Sequence, residues 1–371
     1  MAVSVPDQRL PFTRLLHGGL GIADYLDAAD RALVRIVPFE ASCWLGLDPG
    51  TLLPTSHFSR EYGFDQLLQL AANEFLDDDI NRFSDLARAA RPAATMREAT
   101  GGDLGRSRRH VAFLTPYGFG DGDELRVVFR DGEVAWGAAV LHRRAAAFDP
   151  EEVAIVAGLG EVVANGIRRA ILAGAMSTAE GRPEAPGLVL LGADDRLETA
   201  SPAGRHWLGE LLDSTAATNE VPLVVASVAH TARSAAAGRS DELASVRVPR
   251  RSGGWLRLDA SVTEDGDRVA VVISPSREPE VADLIAQAYG LTSREREVTR
   301  LTMRGLSTRE MAASLHVSPY TVQDHLKSIF DKVQVRSRRE LVAQLFLQQC
   351  APRLADGTPP GVDGWFAEVD A

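Results

Sequence analysis

Lysine is almost absent from this chain: Lys327 and Lys332 are the only two in 371 residues. A phosphate-binding P-loop needs a lysine after its glycines, a protein kinase needs one on a strand, and a pyridoxal enzyme needs one for its Schiff base. Neither lysine stands in such a context, which excludes these three classes of enzyme. The chain also lacks GxSxG, HExxH and a GxGxxG that follows a predicted strand, so the sequence favours a non-enzymatic function over an enzyme.

Cysteine and long apolar runs are also scarce. Cys43 and Cys350 are the only cysteines and stand in no CxxC or Cys/His pattern, so we expect neither a disulfide framework nor a zinc site. No run of about 18 uncharged apolar residues is present, and the opening MAVSVPDQRL has neither the basic start nor the apolar stretch of a secretion signal. These absences predict a cytoplasmic protein with no membrane partner.

The composition that remains is that of an ordinary globular protein, with 45% apolar and 25% charged residues. Because single cores usually contain about 100 to 200 residues, the length predicts two or three domains.

Near the C-terminus, four helix starts follow one another closely. Three are S/T-x-x-E capping boxes, and in the fourth a serine is followed by a proline at the first helical position. The pairs are Thr292 with Glu295, Ser307 with Glu310, Ser318 with Pro319, and Ser337 with Glu340. They predict helices over residues 293–303, 308–315, 319–333 and 337–347, the first closed by a left-handed Gly305.

The second and third of these helices have the spacing of a helix-turn-helix. Each has an apolar stripe, made of Met311, Ala312 and Leu315 in one and of Val322, Leu326, Ile329 and Val333 in the other. Only three residues separate the helices. A small Ala312 lets the helices cross closely, and His316 four residues later is placed to take a left-handed turn conformation. Opposite the stripe, the third helix has a polar face of Tyr320, Gln323, Asp324, Lys327 and Asp331.

This segment resembles the LuxR-type (GerE) DNA-binding domain. The resemblance covers residues 291–346 and includes LTSREREV, the GLS turn, EMAASL, SPYTVQDHLKSIFDKV and SRREL. It implies that the third helix enters the major groove of double-stranded DNA, with the first turn of the fourth helix on the backbone. Gln323 stands where relatives often have lysine, and its neighbour Asp324 is acidic.

The site residues that the resemblance implies all lie in the third and fourth helices. The DNA-binding candidates are Ser318, Tyr320, Thr321, Val322, Gln323, Asp324, His325, Lys327, Lys332, Ser337 and Arg338. Any one of these side chains, taken alone, is as compatible with a solvated surface as with a DNA contact. We expect no catalytic residue and no metal site.

Basic charge is concentrated in the same segment. Residues 291–347 contain ten Lys and Arg against six Asp and Glu, a net charge of +4, which leaves −15 for the rest of a chain whose total is −11. A positive segment in an acidic chain is the electrostatic pattern expected of a module that approaches phosphates.

The N-terminal part is predicted to form two sensor-like modules. An apolar stripe from Ile22 to Ile36 predicts a helix, Cys43–Leu47 followed by an Asp48-Pro49-Gly50 turn and a second apolar run predicts one hairpin, and alternation around Asp131-Gly132 predicts another. A helix capped by Asp149 follows, and the whole resembles a GAF domain. After a Gly- and Pro-containing linker, the turn at residues 193–195, Ser201 before Pro-Ala, and strands at 188–191, 244–248, 255–262 and 268–273 resemble a PAS domain.

The expected fold class is therefore multidomain, with α/β (α+β) GAF-like and PAS-like sensor domains followed by an all-α four-helix LuxR-type helix-turn-helix domain. The predicted boundaries are 1–175 for the GAF-like domain, 176–186 for the linker, 187–277 for the PAS-like domain, 278–290 for a linker helix, 291–348 for the DNA-binding domain with its motif at 308–327, and 349–371 for a flexible tail.

These modules predict a DNA-binding transcription regulator that responds to a small molecule or a protein signal. A homodimer is expected because one short recognition helix reads too few bases, and RNA polymerase is a further candidate partner. For Leu341 in the fourth helix, core packing and dimer pairing are equally compatible with the sequence. The competing function is a signalling adaptor whose sensor modules bind proteins.

No cofactor is expected, because a lone histidine or cysteine is more often packed or solvated than a ligand. The candidates considered for haem or bilin are His57, His110, His142, His206 and Cys43. A phosphorylated receiver is also disfavoured, because Asp77–Asp79 is predicted to lie in a helical polar stretch without a preceding apolar strand.

Overall fold

The structure is a computed structural model that describes residues 5–175, 185–211, 221–276, 285–342 and 344. It forms two compact units, one built around two antiparallel sheets and the other containing the C-terminal helices. None of the helices in these ranges is both long and apolar enough to cross a bilayer. Most of the predicted linker and the whole predicted tail lie outside the described residues.

The first sheet has five antiparallel strands in the order β2-β1-β5-β4-β3. The strands are β1 Ala41–Leu47, β2 Pro54–Arg60, β3 Ala93–Thr95, β4 Asp123–Asp131 and β5 Val134–Arg143. Its helices are α1 Val5–Leu15, α2 Ile22–Leu33, α3 Phe64–Phe75, α4 Phe83–Arg88, α5 Met96–Thr100, α6 Pro150–Gly158 and α7 Gly160–Ala175, with a 3₁₀ turn at Leu104–Arg106 and a π-helical turn at His110–Leu114.

Both predicted hairpins of this sheet are present, with one correction. The β4–β5 hairpin turns at Gly132, which has φ +60, where a residue without a Cβ has no steric cost. In the β1–β2 hairpin the second strand is the polar PTSHFSR rather than the apolar run that follows the turn. The connection is longer than predicted because residues 51–53 belong to it rather than to the strand. Leu53 is buried there.

Three predictions about helices need correction. The helix predicted over Ile22 to Ile36 ends at Leu33, so Ile36 lies in the turn that follows. The helix that begins at Asp149 is divided at Leu159 into α6 and α7, although the predicted apolar face is buried along both. Asp77–Asp79 lies in the loop after α3 rather than in a helix, where Asp79 accepts hydrogen bonds from Ser107 and from the backbone N–H of Arg109.

The second sheet belongs to the same compact unit and has the strand order β7-β6-β10-β9-β8. The strands are β6 Gly187–Leu191, β7 Leu197–Ala200, β8 Ser245–Pro249, β9 Trp255–Val262 and β10 Val269–Pro275. Two helices accompany it, α8 Pro202–Glu210 and α9 Leu223–Ala236. Ser201 caps α8 by accepting from the Gly204 N–H at 3.0 Å. Four of the five strands agree with the predicted ones to within two residues, whereas β7, α8 and α9 have no counterpart among the predicted elements.

A cluster of charged side chains is buried in the first sheet. The guanidinium of Arg109 donates to the carboxylate of Glu124 at 2.8 to 3.1 Å, and both side chains are 0% exposed. Arg126 forms an ion pair with Glu74 at 2.8 Å beside them. Burial alone would raise the pKa of Glu124, but Arg109 and its other partners hold that pKa well below its usual range. The cluster therefore stays charged in the interior.

The histidines and the cysteine weighed as cofactor ligands are spread over the first unit. His142 is fully buried, places Nε2 3.0 Å from Glu124 and contacts the Tyr62 hydroxyl through Nδ1; its pKa is lowered chiefly by burial. Nε2 of His110 lies 2.9 Å from the carbonyl of Gly120. His206 is exposed next to Trp207, and Cys43 is buried in the first sheet.

The second unit contains three consecutive helices, α10 Ser293–Met303, α11 Thr308–Leu315 and α12 Pro319–Val333. Their bounds are those predicted from the caps. Residues 338–342 form the start of a fourth helix, and the predicted continuation to 347 lies largely outside the described residues. Of the predicted linker helix at 278–290, residues 285–290 are described; 285–288 are helical, and 289 and 290 form a turn.

Candidate nucleic-acid interface

The helix starts of the second unit are fixed by their own side chains, as predicted. Thr292 accepts from the Glu295 N–H at 3.2 Å while the Glu295 carboxylate accepts from the Thr292 N–H at 2.7 Å. Ser307 and Glu310 form the same reciprocal pair, and Ser318 accepts from the Thr321 N–H at 3.1 Å. Each cap satisfies backbone donors that a helix start leaves without partners.

The fourth cap differs from the predicted box. Ser337 does accept from the Glu340 N–H at 3.1 Å. The Glu340 carboxylate, however, accepts from the N–H of Arg336 at 2.7 Å rather than from Ser337. The glutamate therefore reaches one residue further back, and the box is not reciprocal.

The turn between α11 and α12 has the backbone conformation that the sequence predicts. His316 adopts φ 54 and ψ 42, in the left-handed region, and closes α11. The apolar stripes on both sides of the turn are buried, and Met311, Val322 and Ile329 are completely shielded from solvent. A helix, a left-handed turn and a second helix that share one core form a helix-turn-helix.

The outer face of α12 is exposed along its length. Tyr320 is 79% exposed, an unusual position for a large aromatic side chain on a soluble surface. Gln323, Asp324, Lys327 and Asp331 are exposed on the same helix at spacings of three and four residues, which places them on one side. This surface is called the outer face of α12 below.

Other predicted site residues have different surroundings. Ser318 is exposed, and Thr321 and His325 are half-buried. The Val322 side chain is fully buried, so it packs in the core of the unit and faces no approaching ligand. Ser337 is half-buried at the start of the fourth helix.

Lys332 is held by an ion pair within the unit. Its ammonium donates to the Glu295 carboxylate at 2.6 Å, and Ser328 donates to the other oxygen at 2.6 Å. Burial alone would raise the pKa of Glu295, but these hydrogen bonds and the one from the Thr292 N–H hold it at about 2. The network joins the start of α10 to the last turns of α12 and so fixes the orientation of α12. Of the two lysines, Lys327 lies on the outer face and Lys332 binds another helix.

Two arginines also bind neighbouring helices. Arg338 donates to the carbonyl of Leu306 at 3.3 Å and to the Thr308 hydroxyl at 2.6 Å, which connects the fourth helix to the start of α11. Arg294 donates to the carbonyl of Leu315 at 2.6 Å and pairs with Glu297. Part of the basic charge of residues 291–347 therefore joins helices within the unit, whereas the net charge taken from the sequence includes every basic side chain.

The exposed basic side chains of the unit extend beyond the predicted site. Among the described residues they are, besides Lys327 and the ion-paired Lys332, Arg300, Arg304, Arg309, Arg336 and Arg339. The only sequence signal for these arginines was the excess of positive charge in residues 291–347. A net charge does not distinguish side chains that face solvent from those that join helices.

The C-terminal region matches a family model. The model of bacterial regulatory proteins of the luxR family, GerE, matches residues 289–345. This range contains the helix-turn-helix, the outer face of α12 and the start of the fourth helix.

Three relatives illustrate the extent of the similarity. The spore germination protein GerE of Bacillus subtilis is 38% identical over 55 residues, which are 15% of this chain and 74% of GerE. The transcriptional regulatory protein DesR of Bacillus subtilis is 32% identical over 94 residues, 24% of this chain and 47% of DesR. The monoamine regulon transcriptional regulator of Klebsiella aerogenes is 39% identical over 108 residues, 28% of this chain and 48% of that regulator. Apart from GerE, the chain thus spans about half of the length of these relatives.

Proposed function

Because this chain belongs to the luxR family of bacterial regulatory proteins, we propose that it is a transcription regulator whose second unit binds double-stranded DNA. The observation that carries the proposal is the outer face of α12, an exposed polar face on the helix that follows the turn of a helix-turn-helix. The relatives are transcriptional regulators. A helix of this kind fits the major groove, where polar side chains hydrogen-bond to base edges and cations contact phosphates.

Within the proposed interface the side chains divide by chemistry. Gln323 and Asp324 are suited to bases, since an amide can pair with adenine N6 and N7 and a carboxylate can accept from cytosine N4. Tyr320, Ser318 and Thr321 stand at the first turn of α12, where hydroxyls and backbone N–H groups reach phosphates. Lys327 and the exposed arginines supply the salt-dependent part of binding. Lys332, Ser337 and Arg338 act indirectly, by fixing the helices that present these groups.

Replacing Lys327 by alanine is expected to weaken binding to every duplex by a similar factor. If Lys327 contacts one phosphate, the slope of log affinity against log salt should fall by roughly one unit. Fluorescence anisotropy with a random duplex between about 50 and 300 mM salt measures both quantities. Arg35→Ala, an exposed cation of the first unit, is the matched control and should leave the slope unchanged. An unchanged slope for Lys327→Ala would remove this residue from the interface.

Replacing Asp324 by alanine is expected to relax base preference at one position of each half-site, by about 1–3 kcal/mol of discrimination. Selection of binding sequences from a random pool, carried out in parallel for the wild type and the variant, reads this directly. Asp331→Ala is the control, because that carboxylate lies on the same face two helical turns further along. An identical selected motif for Asp324→Ala would mean that its carboxylate faces solvent in the complex.

We further propose that the protein acts as a homodimer on two half-sites and that the first unit, with its GAF-like and PAS-like sheets, receives a small-molecule or protein signal. Two-fold pairing supplies the base contacts that one short helix lacks. RNA polymerase is the further partner that a regulator of transcription implies. Light scattering of the protein bound to its selected duplex tests the pairing, and one chain per duplex would contradict it.

A further inference from the structure

The two sheets of the first unit exchange hydrophobic side chains. Leu53, which follows the turn after β1, is buried in the core of the second sheet together with Val189 and Val224. In the opposite direction, Leu223 at the start of α9 is buried in the core of the first sheet together with Leu45 and Leu70. Neither core is complete without a side chain from the other half of the unit.

Helix α9 lies between the two halves. Eleven of its fourteen residues are buried, and a helix that is buried on all sides must have packing partners on all sides. It packs on β9 and β10 of the second sheet and on α3 and β2 of the first. Phe75 of α3 is packed against both cores. A shift of α3 would therefore displace α9.

An ion pair with backbone hydrogen bonds joins the same two halves at their edges. The Asp48 carboxylate, at the turn after β1, accepts from the Arg247 guanidinium at 2.6 and 2.9 Å and from the Arg247 N–H at 3.0 Å. It also accepts from the Gly50 N–H of its own turn at 2.9 Å. Arg247 is on β8, the edge strand of the second sheet. A Cβ at Gly50 would lie 3.0 Å from the guanidinium, so the turn and the Arg247 side chain approach each other closely.

The other end of α9 is anchored to the second sheet. Asp195, in the β6–β7 turn with φ +58, has its carboxylate 2.8 Å from Nε2 of His230 and 3.3 Å from Nε of Arg233. Burial alone would raise the pKa of Asp195, but the hydrogen bonds and charges of His230 and Arg233 together lower it. One end of α9 is thus bound to Asp195 at the second sheet, and the other end is buried in the core of the first sheet, so α9 connects the two halves.

We propose that the junction formed by Leu53, Leu223, α9 and the Asp48–Arg247 pair makes the two sheets one cooperative element, so that a change in either sheet is transmitted to the other. A signal received by the first sheet then alters the second sheet, which precedes the DNA-binding unit in the chain. The transmission is reciprocal, because coupling free energies between two parts of one molecule are equal in both directions. This inference does not depend on DNA binding.

Hydrogen exchange of the full chain tests the coupling. Val127→Ala removes buried methyl groups from β4, three strands from β2 and outside both shared cores. It should speed exchange of the β4 and β5 amides by roughly 10- to 100-fold. Coupling predicts the same factor for the amides of β9 and β10. The reciprocal variant, Val271→Ala on β10 in the core of the second sheet, should speed exchange in β4 and β5. Acceleration confined to the sheet that carries the substitution would overturn the proposal.

A third variant tests whether the junction is the route. In Leu53→Ala, or in the milder Leu53→Val where alanine prevents folding, the exchange factors of the two sheets should diverge when Val127→Ala is added. If both sheets still respond equally in that background, the coupling does not pass through Leu53 and the proposed junction is wrong. Because the readout is amide exchange, a failure of the DNA-binding proposal would leave this result unaffected.

Discussion

Replacing Arg109 by methionine is expected to lower the free energy of unfolding of the first unit by about 3–5 kcal/mol, the usual cost of breaking a fully buried ion pair. The loss is large because Glu124 remains in the interior as a charge without its main partner. Arg126, whose Nε is 3.9 Å from Glu124, compensates it poorly. Urea unfolding of the full chain, followed by tryptophan fluorescence, to which Trp44 and Trp136 of the first sheet contribute, measures the change.

The neighbouring Arg108 is a close control for this experiment. Its side chain is 72% exposed and forms an ion pair with Asp77 at 3.3 Å, and exposed pairs contribute about 0–1 kcal/mol. Arg108→Met should therefore unfold close to the wild type. The double variant Arg109→Met/Glu124→Gln should recover much of the lost stability, because the unpaired buried charge is removed as well. Equal effects of the two arginine variants would show that Arg109 is not the counter-ion that keeps Glu124 charged.

Replacing Glu295 by glutamine is expected to destabilise the second unit by about 2 kcal/mol at neutral pH, since a carboxylate that accepts from an ammonium and a hydroxyl contributes more than neutral hydrogen bonds do. The orientation of α12 depends on this network. DNA affinity should therefore fall, although Glu295 is buried and is not part of the outer face. Hydrogen exchange of peptides from α10 and α12 in graded urea measures the stability. Glu297→Gln, on the same helix in an exposed pair with Arg294, should change it by less than about 1 kcal/mol.

The pH dependence of the second unit follows from the same residue. The folded-state pKa of Glu295, about 2, lies below its ordinary value of 4.5. A depressed carboxyl pKa contributes stability that is fully present above the ordinary value and is lost as the pH falls from there through about 2. The wild type should therefore lose stability between pH 4.5 and 2 more steeply than Glu295→Gln. Parallel acid profiles would contradict the assignment of the network to Glu295.

The helices of the second unit were predictable from local sequence. Capping is an interaction between residues three apart: Thr292 and Ser307 form the predicted boxes with Glu295 and Glu310, and Ser318 caps the helix that was predicted to follow it. The left-handed turn at His316 and the buried stripes are likewise encoded within a few residues. The same holds for the β4–β5 hairpin, whose strands alternate and whose turn has a glycine at the position with positive φ.

Tertiary structure alone decided the roles of particular side chains. Lys327 and Lys332 are five residues apart on one helix, yet Lys327 lies on the outer face of α12 and Lys332 binds Glu295, 37 positions away along the chain. Val322 and Gln323 are neighbours, but Val322 is buried in the core and Gln323 is exposed to solvent. Sequence spacing identifies a face of a helix, whereas the partner of a long charged side chain depends on which helix packs beside it.

The first unit shows the same division on a larger scale. Its strands were largely predictable from alternation, but α9 was not, because a helix packed on all sides has no polar face and so no periodic pattern to reveal it. The sequence also gives no sign that Leu53 and Leu223 exchange cores, or that Arg109 and Glu124 pair in the interior, since each contact joins residues far apart or on separate elements. The sequence by itself therefore determined the local elements and the family of the second unit. Only the packing of those elements decided which charges are buried, which are exposed, and that the core of each sheet includes a side chain from the other half.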